Sequence, residues 1–134
     1  MKILLAKDAG YCFGVRDAVD LAYETAEKYG DVYMLGHIVH NENVVHALDE
    51  AGAKVVDNLD EVPDDKPILF RAHGTSVDTW VDAKAKDMNI VDATCPLVWE
   101  IHEEVKKLES EGRKIIIVGD HGHDEVVGIA SQVK

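Results

Sequence analysis

In the stretch Asn89-Ile90-Val91-Asp92-Ala93-Thr94-Cys95-Pro96-Leu97-Val98, a short apolar strand passes through a polar turn into a helix that opens at Pro96. Proline costs nothing at a first helical position, where its missing N–H would have had no partner anyway. The helical pattern runs on through Val98, Ile101, Val105 and Leu108 and closes at Gly112. The same strand-to-helix change recurs at Lys2-Ile3-Leu4-Leu5-Ala6, followed by the loop Lys7 to Tyr11, Cys12 and Phe13-Gly14-Val15. Three more junctions carry a histidine. His40 follows Val32-Tyr33-Met34-Leu35, His73 follows Ile68-Leu69-Phe70, and His123 with Glu125 follows Ile115-Ile116-Ile117-Val118.

Extended over the chain, this reading predicts strands at roughly 2–6, 32–36, 53–56, 67–71, 89–92 and 114–118, and helices at roughly 14–29, 41–51, 76–87, 96–111 and 124–132. In the first helix Val15, Ala18, Val19, Ala22 and Ala26 share a face opposite Asp20, Glu24, Glu27 and Lys28, and Gly30 is the natural stop. Runs such as Ile115-Ile116-Ile117-Val118 are apolar without alternation, as in strands covered on both faces. The expected fold is therefore α/β: a parallel sheet flanked by helices on both faces, with right-handed crossovers. Asp57 to Lys66, acidic and carrying Pro63, reads as a surface loop. Residues 1–95 form a first α/β unit, and 96–134 read as the start of a second that stops early. Such a truncated unit would leave an apolar face open to self-association or to a complementing chain.

A length of 134 residues suits one sizeable core, and 46% hydrophobic with 30% charged residues is ordinary for a soluble fold. No segment has the length of a membrane span, and the amino terminus reads as a strand rather than a signal peptide, so a cytoplasmic location is expected. Fourteen basic against twenty-six acidic residues give a net charge of -12, which disfavours nucleic acid and anionic membranes as partners. An anionic ligand would need a local site. Two cysteines without a Cys-x-x-Cys spacing fit free or metal-bound thiolates better than a disulfide scaffold or a dithiol exchange protein.

In an open parallel sheet the carboxyl ends of the strands gather at one crevice, so the five junction residues could meet there. Cys12 and Cys95, placed at helix starts, would have thiolates favoured by backbone N–H groups, although a free cysteine is as often a small buried hydrophobe. Histidines at helix starts can donate to phosphate beside the unpaired backbone donors, and three of them could hold a diphosphate; the alternative is that each caps its own loop. Gly36, Gly74, Gly122 and Gly128 allow close backbone approach, or simply form turns. Glu125 could deliver a proton if desolvated, or merely satisfy backbone N–H groups at a helix start. His46 and His102 fall inside helices and read as surface residues; Trp80 and Trp99 read as packing residues.

Taken together, Gly10-Tyr11-Cys12-Phe13-Gly14-Val15, His37-Ile38-Val39-His40-Asn41, Ala72-His73-Gly74, Asp92-Ala93-Thr94-Cys95-Pro96 and Gly122-His123-Asp124-Glu125-Val126 resemble, in matching order, the amino-terminal part of the 4-hydroxy-3-methylbut-2-enyl diphosphate reductases. The resemblance implies a 4Fe-4S cluster held by three cysteines, of which Cys12 and Cys95 match the first two. It also implies an allylic diphosphate gripped by His40, His73 and His123, and a proton-delivering Glu125. The implied reaction is reductive dehydroxylation, a step in non-mevalonate isoprenoid synthesis, with electrons from a ferredoxin or flavodoxin type donor. The family's third cysteine has no counterpart in these residues. Asp17 and Glu100 stand where basic residues are expected, Asp124 stands in place of a usual proline, and Trp99 is bulkier than the pattern implies. A reductase fragment inactive by itself is thus expected; the alternatives are a non-catalytic flavodoxin-like module and a zinc- or phosphate-binding domain.

Overall fold

The computed structural model describes residues 1–7 and 10–134. Asp8 and Ala9, inside the expected loop before Cys12, lie outside the described residues. The elements are α1 (Phe13–Tyr29), β1 (Val32–Leu35), α2 (Glu42–Glu50), β2 (Ala53–Val56), β3 (Ile68–Phe70), α3 (Val77–Ala85), β4 (Ile90–Asp92), α4 (Pro96–Ser110) and α5 (Asp124–Ala130), with a 3-10 turn at Leu59–Glu61. The four strands form one parallel sheet in the order β2-β1-β3-β4.

Alternate strand residues feed two separate cores, as the pleat requires. Val32, Met34, Ala53 and Leu69 pack with Ala18, Ala22 and Ala26 of α1 and Leu48 of α2. Leu35, Val56, Ile68 and Phe70 pack with Ala83 of α3 and with Val62. Small alanines at four-residue spacing let α1 lie close to the sheet. On the other face, Trp80 of α3 meets Phe70 edge-on, their ring centroids 4.8 Å apart. Helices therefore cover both faces, as the continuous apolar runs predicted.

Two predicted strands are not in the sheet. Residues 2–6 and 114–118 have no ladder partner among the described residues, and Ile3, Leu4, Leu5, Ile116 and Val118 are exposed. Their β-favouring composition is real, but a strand exists only by pairing, and neither run is paired. A second correction concerns His102, expected at the surface but 1% exposed. It lies one turn after Val98 on the inward face of α4, while Ile101, expected in the apolar stripe, is 41% exposed.

Candidate functional site: a histidine cluster and two cysteines at helix starts

Beyond β3 the sheet's hydrogen bonding continues in a row of backbone contacts that builds the site. Ala72 N–H donates to the Ile38 carbonyl at 3.4 Å, and Cys95 N–H donates to the Ala72 carbonyl at 3.0 Å. This row aligns the chain just before His40, His73 and α4. The turn at His73 is closed by Gly74 N–H donating to the Arg71 carbonyl at 3.2 Å. Gly74 sits at φ +88°, and a Cβ there would come within 3.1 Å of both Val98 and His102, so the turn needs glycine for backbone freedom and for space.

The three predicted histidines meet. The rings of His40 and His73 stack with centroids 4.3 Å apart. His123 stands 5.4 Å from His40 and 6.1 Å from His73. His123 also caps α5, its Nδ1 accepting from the Glu125 N–H at 3.3 Å, so the loop-capping alternative holds for this histidine alongside its place in the cluster. His73 Nδ1 is buried without a hydrogen-bond partner among the described residues. Burial first, and the neighbouring His40 second, push the His73 pKa below its ordinary value, while Glu125 and Asp124 pull it back up. Their proximity places Glu125, half-buried in the first turn of α5, in the field of the cluster.

Cys12 and Cys95 are free thiols at the N-caps of α1 and α4, as the junction pattern predicted. The two helix starts are in contact: a Cβ on Gly14 would lie 2.5 Å from the Cys95 Sγ, so this close approach depends on glycine. Tyr11, next to Cys12, accepts through its hydroxyl from the Asn41 amide at 3.4 Å, which ties the Cys12 segment to the residue after His40. Asp92 organises the other thiol's turn by accepting from the Thr94 N–H at 3.0 Å, the Thr94 hydroxyl at 2.6 Å and the Trp99 indole N–H at 3.0 Å. Trp99 is thus an anchored group as well as a packing one. Among the described residues, three of the five junctions, those of His40, His73 and Cys95, follow strands of the sheet, whereas segments 2–6 and 114–118, ahead of Cys12 and His123, are unpaired.

Sequence reading passed over Arg71. Its guanidinium pairs with the Asp124 carboxylate, so that acidic side chain has its charge met on the spot. The available signal was a cation at a strand end, two residues before a site histidine. His102, the other omission, fills the space between the Gly74 turn and Gly128 of α5, with burial pushing its pKa down. A broad, open concavity lies elsewhere, along α4 between Leu97, Trp99, Ile101 and Lys107, and none of the histidines lines it.

A family model for LytB protein matches residues 3–134. The chain belongs to the LytB family. Over all 134 of its residues it is 46% identical to the 4-hydroxy-3-methylbut-2-enyl diphosphate reductase of Geobacter metallireducens, 47% of which it covers. It is 43% identical to the enzyme of the same name from Aeromonas hydrophila, covering 98% of this chain and 43% of that one. The structure of the E-1-hydroxy-2-methyl-but-2-enyl-4-diphosphate reductase from Plasmodium falciparum superposes with a TM-score of 0.90 at 34% identity, covering 94% of this chain and 40% of that one. A second reductase structure, described as the terminal enzyme of the non-mevalonate pathway, gives 0.83 at 35% identity, covering 97% and 46%. The chain spans about half the length of the curated relatives it matches, corresponding to their amino-terminal part.

In this LytB-family chain the donor set fits a 4Fe-4S cluster only in part. Such clusters take three or four protein thiolates, and two are present. Among the described residues no three of histidine, cysteine, aspartate and glutamate are grouped so as to hold a metal ion. His40 and His73 stack, while His123 is tilted to the first and edge-on to the second. Among the described residues no helix is long and apolar enough to cross a membrane.

Proposed function

We propose that the chain is the diphosphate-gripping, amino-terminal portion of a reductase that converts 4-hydroxy-3-methylbut-2-enyl diphosphate to isopentenyl and dimethylallyl diphosphate. The observation that carries this reading is the meeting of His40, His73 and His123 from three separate elements. Burial and the neighbouring His40 hold the His73 pKa below its ordinary value, so its imidazolium is disfavoured in the free chain. A diphosphate would reverse that balance by favouring the His73 imidazolium and accepting N–H groups from the cluster. The histidines would thus supply, at one spot, the positive charge that a protein of net charge -12 otherwise lacks.

Glu125, beside the histidines, would hold the proton for transfer to the bound ligand. Cys12 and Cys95 would contribute two thiolates to an iron–sulfur cluster, which when complete supplies electrons and a Lewis-acidic iron. A third thiolate would have to come from outside these 134 residues, so no turnover is assigned to the chain by itself. The electron donor of the complete enzyme would be of ferredoxin or flavodoxin type, and the setting would be cytoplasmic. Residues 1–95 and 96–134 would belong to successive α/β units of that enzyme.

The test is titration of the chain with inorganic pyrophosphate, followed through its histidine ring resonances. Shifts of His40, His73 and His123 together, with proton uptake on binding, are expected. Shifts confined to other histidines, or no binding at millimolar pyrophosphate, would overturn the reading. In parallel, anaerobic reconstitution should give substoichiometric iron, well short of about four per chain, and no reductase activity. A full cluster with turnover would refute the proposed incompleteness.

A further inference from the structure

Helix α5 is short, with seven residues; Glu125 of the proposed site lies in its first turn and His123 at its cap. Three of its contacts among the described residues bear on its placement. Ser131, just past its end, accepts from the Val77 N–H at 3.1 Å through its hydroxyl; Gly128 lies against His102; and Asp124 pairs with Arg71. The first two fix the distal end and the middle. The third acts at the end that bears His123 and Glu125, where the His123 ring also faces His40 and His73.

Arg71 suits that task. Its carbonyl accepts from Gly74 N–H and from the Thr94 hydroxyl, so its backbone is part of both the His73 turn and the turn before Cys95. Its guanidinium lies over Gly36, where a Cβ would approach Nη1 to 2.9 Å, so the end of β1 leaves room for it. Arg71 and Asp124 side chains are 20% and 33% exposed, which shields the pair more than a surface ion pair. The Arg71 Nε is buried without a partner among the described residues, a cost borne by holding the guanidinium in this place.

We infer that Arg71 and Asp124 are a positioning pair that fixes the α5 end bearing His123 and Glu125 against the sheet-borne His40 and His73. Neither residue is assigned contact with the ligand. The pair sets the third ring's place in the cluster and neutralises a carboxylate that would otherwise repel an incoming diphosphate. This last consequence rests on the diphosphate reading; the positioning does not.

Asp124→Asn and Arg71→Met, singly and combined in the 134-residue chain, separate the two. Ring-proton NOEs from His123 to His40 and His73, expected in the parent at these separations, should disappear in each single variant. Pyrophosphate affinity should fall about tenfold. The double variant should be no weaker than the worse single one, because both remove one interaction, and Asp124→Glu should restore NOEs and affinity. Unchanged NOEs in both single variants, with the fold intact by thermal unfolding, would overturn the positioning role. A parent chain that shows the NOEs but ignores pyrophosphate would instead remove the diphosphate reading, leaving the NOEs of the variants to decide the pair.

Discussion

His40 and His73 are placed by a sheet, whereas His123 is placed by a seven-residue helix that follows an unpaired segment. The sheet half owes its geometry to parallel pairing of β1 with β3 and to the backbone row through Ile38, Ala72 and Cys95. A displacement there would require breaking main-chain hydrogen bonds between buried strands. The α5 half depends on side-chain and close-packing contacts, among them Ser131 with Val77, Gly128 with His102 and Asp124 with Arg71. A site assembled in this way has a rigid floor and one adjustable wall, so the same substitution energy should produce different site geometry in the two halves.

The largest effect is expected from the floor. Phe70 is 0% exposed at the end of β3 and meets Trp80 edge-on. Phe70→Ala should cost about 3–5 kcal/mol, the usual range for emptying a buried aromatic position, and should abolish histidine-cluster NOEs with the fold. Urea unfolding measures it; a loss below about 1 kcal/mol would mean that this face of the sheet is not the foundation described. Next comes the joint between the halves. Gly74→Ala forces an L-residue to φ +88° and pushes a methyl toward Val98 and His102. The backbone alone should cost roughly 1–2 kcal/mol, and the crowding should displace α4 from the His73 turn. A neutral outcome in the same urea assay would show that the turn can reorganise.

Acid provides a third probe. Burial pushes both His73 and His102 below the ordinary value of 6.5, so the folded chain binds fewer protons there than the unfolded chain. Their effect on stability is therefore constant at higher pH, turns unfavourable as pH falls below 6.5, and is complete once pH is below the folded values. His102→Leu should remove part of that slope, and pyrophosphate should oppose the His73 part by favouring its imidazolium. A slope unchanged by His102→Leu would exclude His102 as a contributor.

Much of the floor was legible in the sequence because its signals are local. Apolar runs of strand length, Pro96 at a helix start and Gly30 at a helix end located β1 to β4, α1 and α4, and the junction rule brought His40, His73 and Cys95 to one edge. The junction of His123 was also found, although its strand is not in the sheet: proximity was predicted correctly from a partly wrong placement. His102 was misplaced because histidine was weighed by polarity and not by its four-residue step from Val98. The Arg71–Asp124 pair was invisible for a different reason. A contact across 53 positions is set by how α5 folds back over β3, and no periodicity reports that.

The smallest expected effect isolates the difference between composition and pairing. Ile116 and Val118 are 85% and 94% exposed, yet their segment has the same strand-like character as β1 or β3. Ile116→Ser should change the stability of this chain by no more than about 0.5 kcal/mol, since exposed side chains away from caps and buried contacts rarely matter more. The equivalent polar change in β3, Leu69→Ser, empties a position only 1% exposed and leaves a hydroxyl in the core, so it should unfold much of the population. If Ile116→Ser proved comparably costly, the 114–118 segment would have a buried partner in solution, and self-association would be its most direct source. Sedimentation of the parent and of Ile116→Ser would then show the oligomer dissociating on substitution, whereas a parent that is monomeric at high concentration fits the unpaired segment described here.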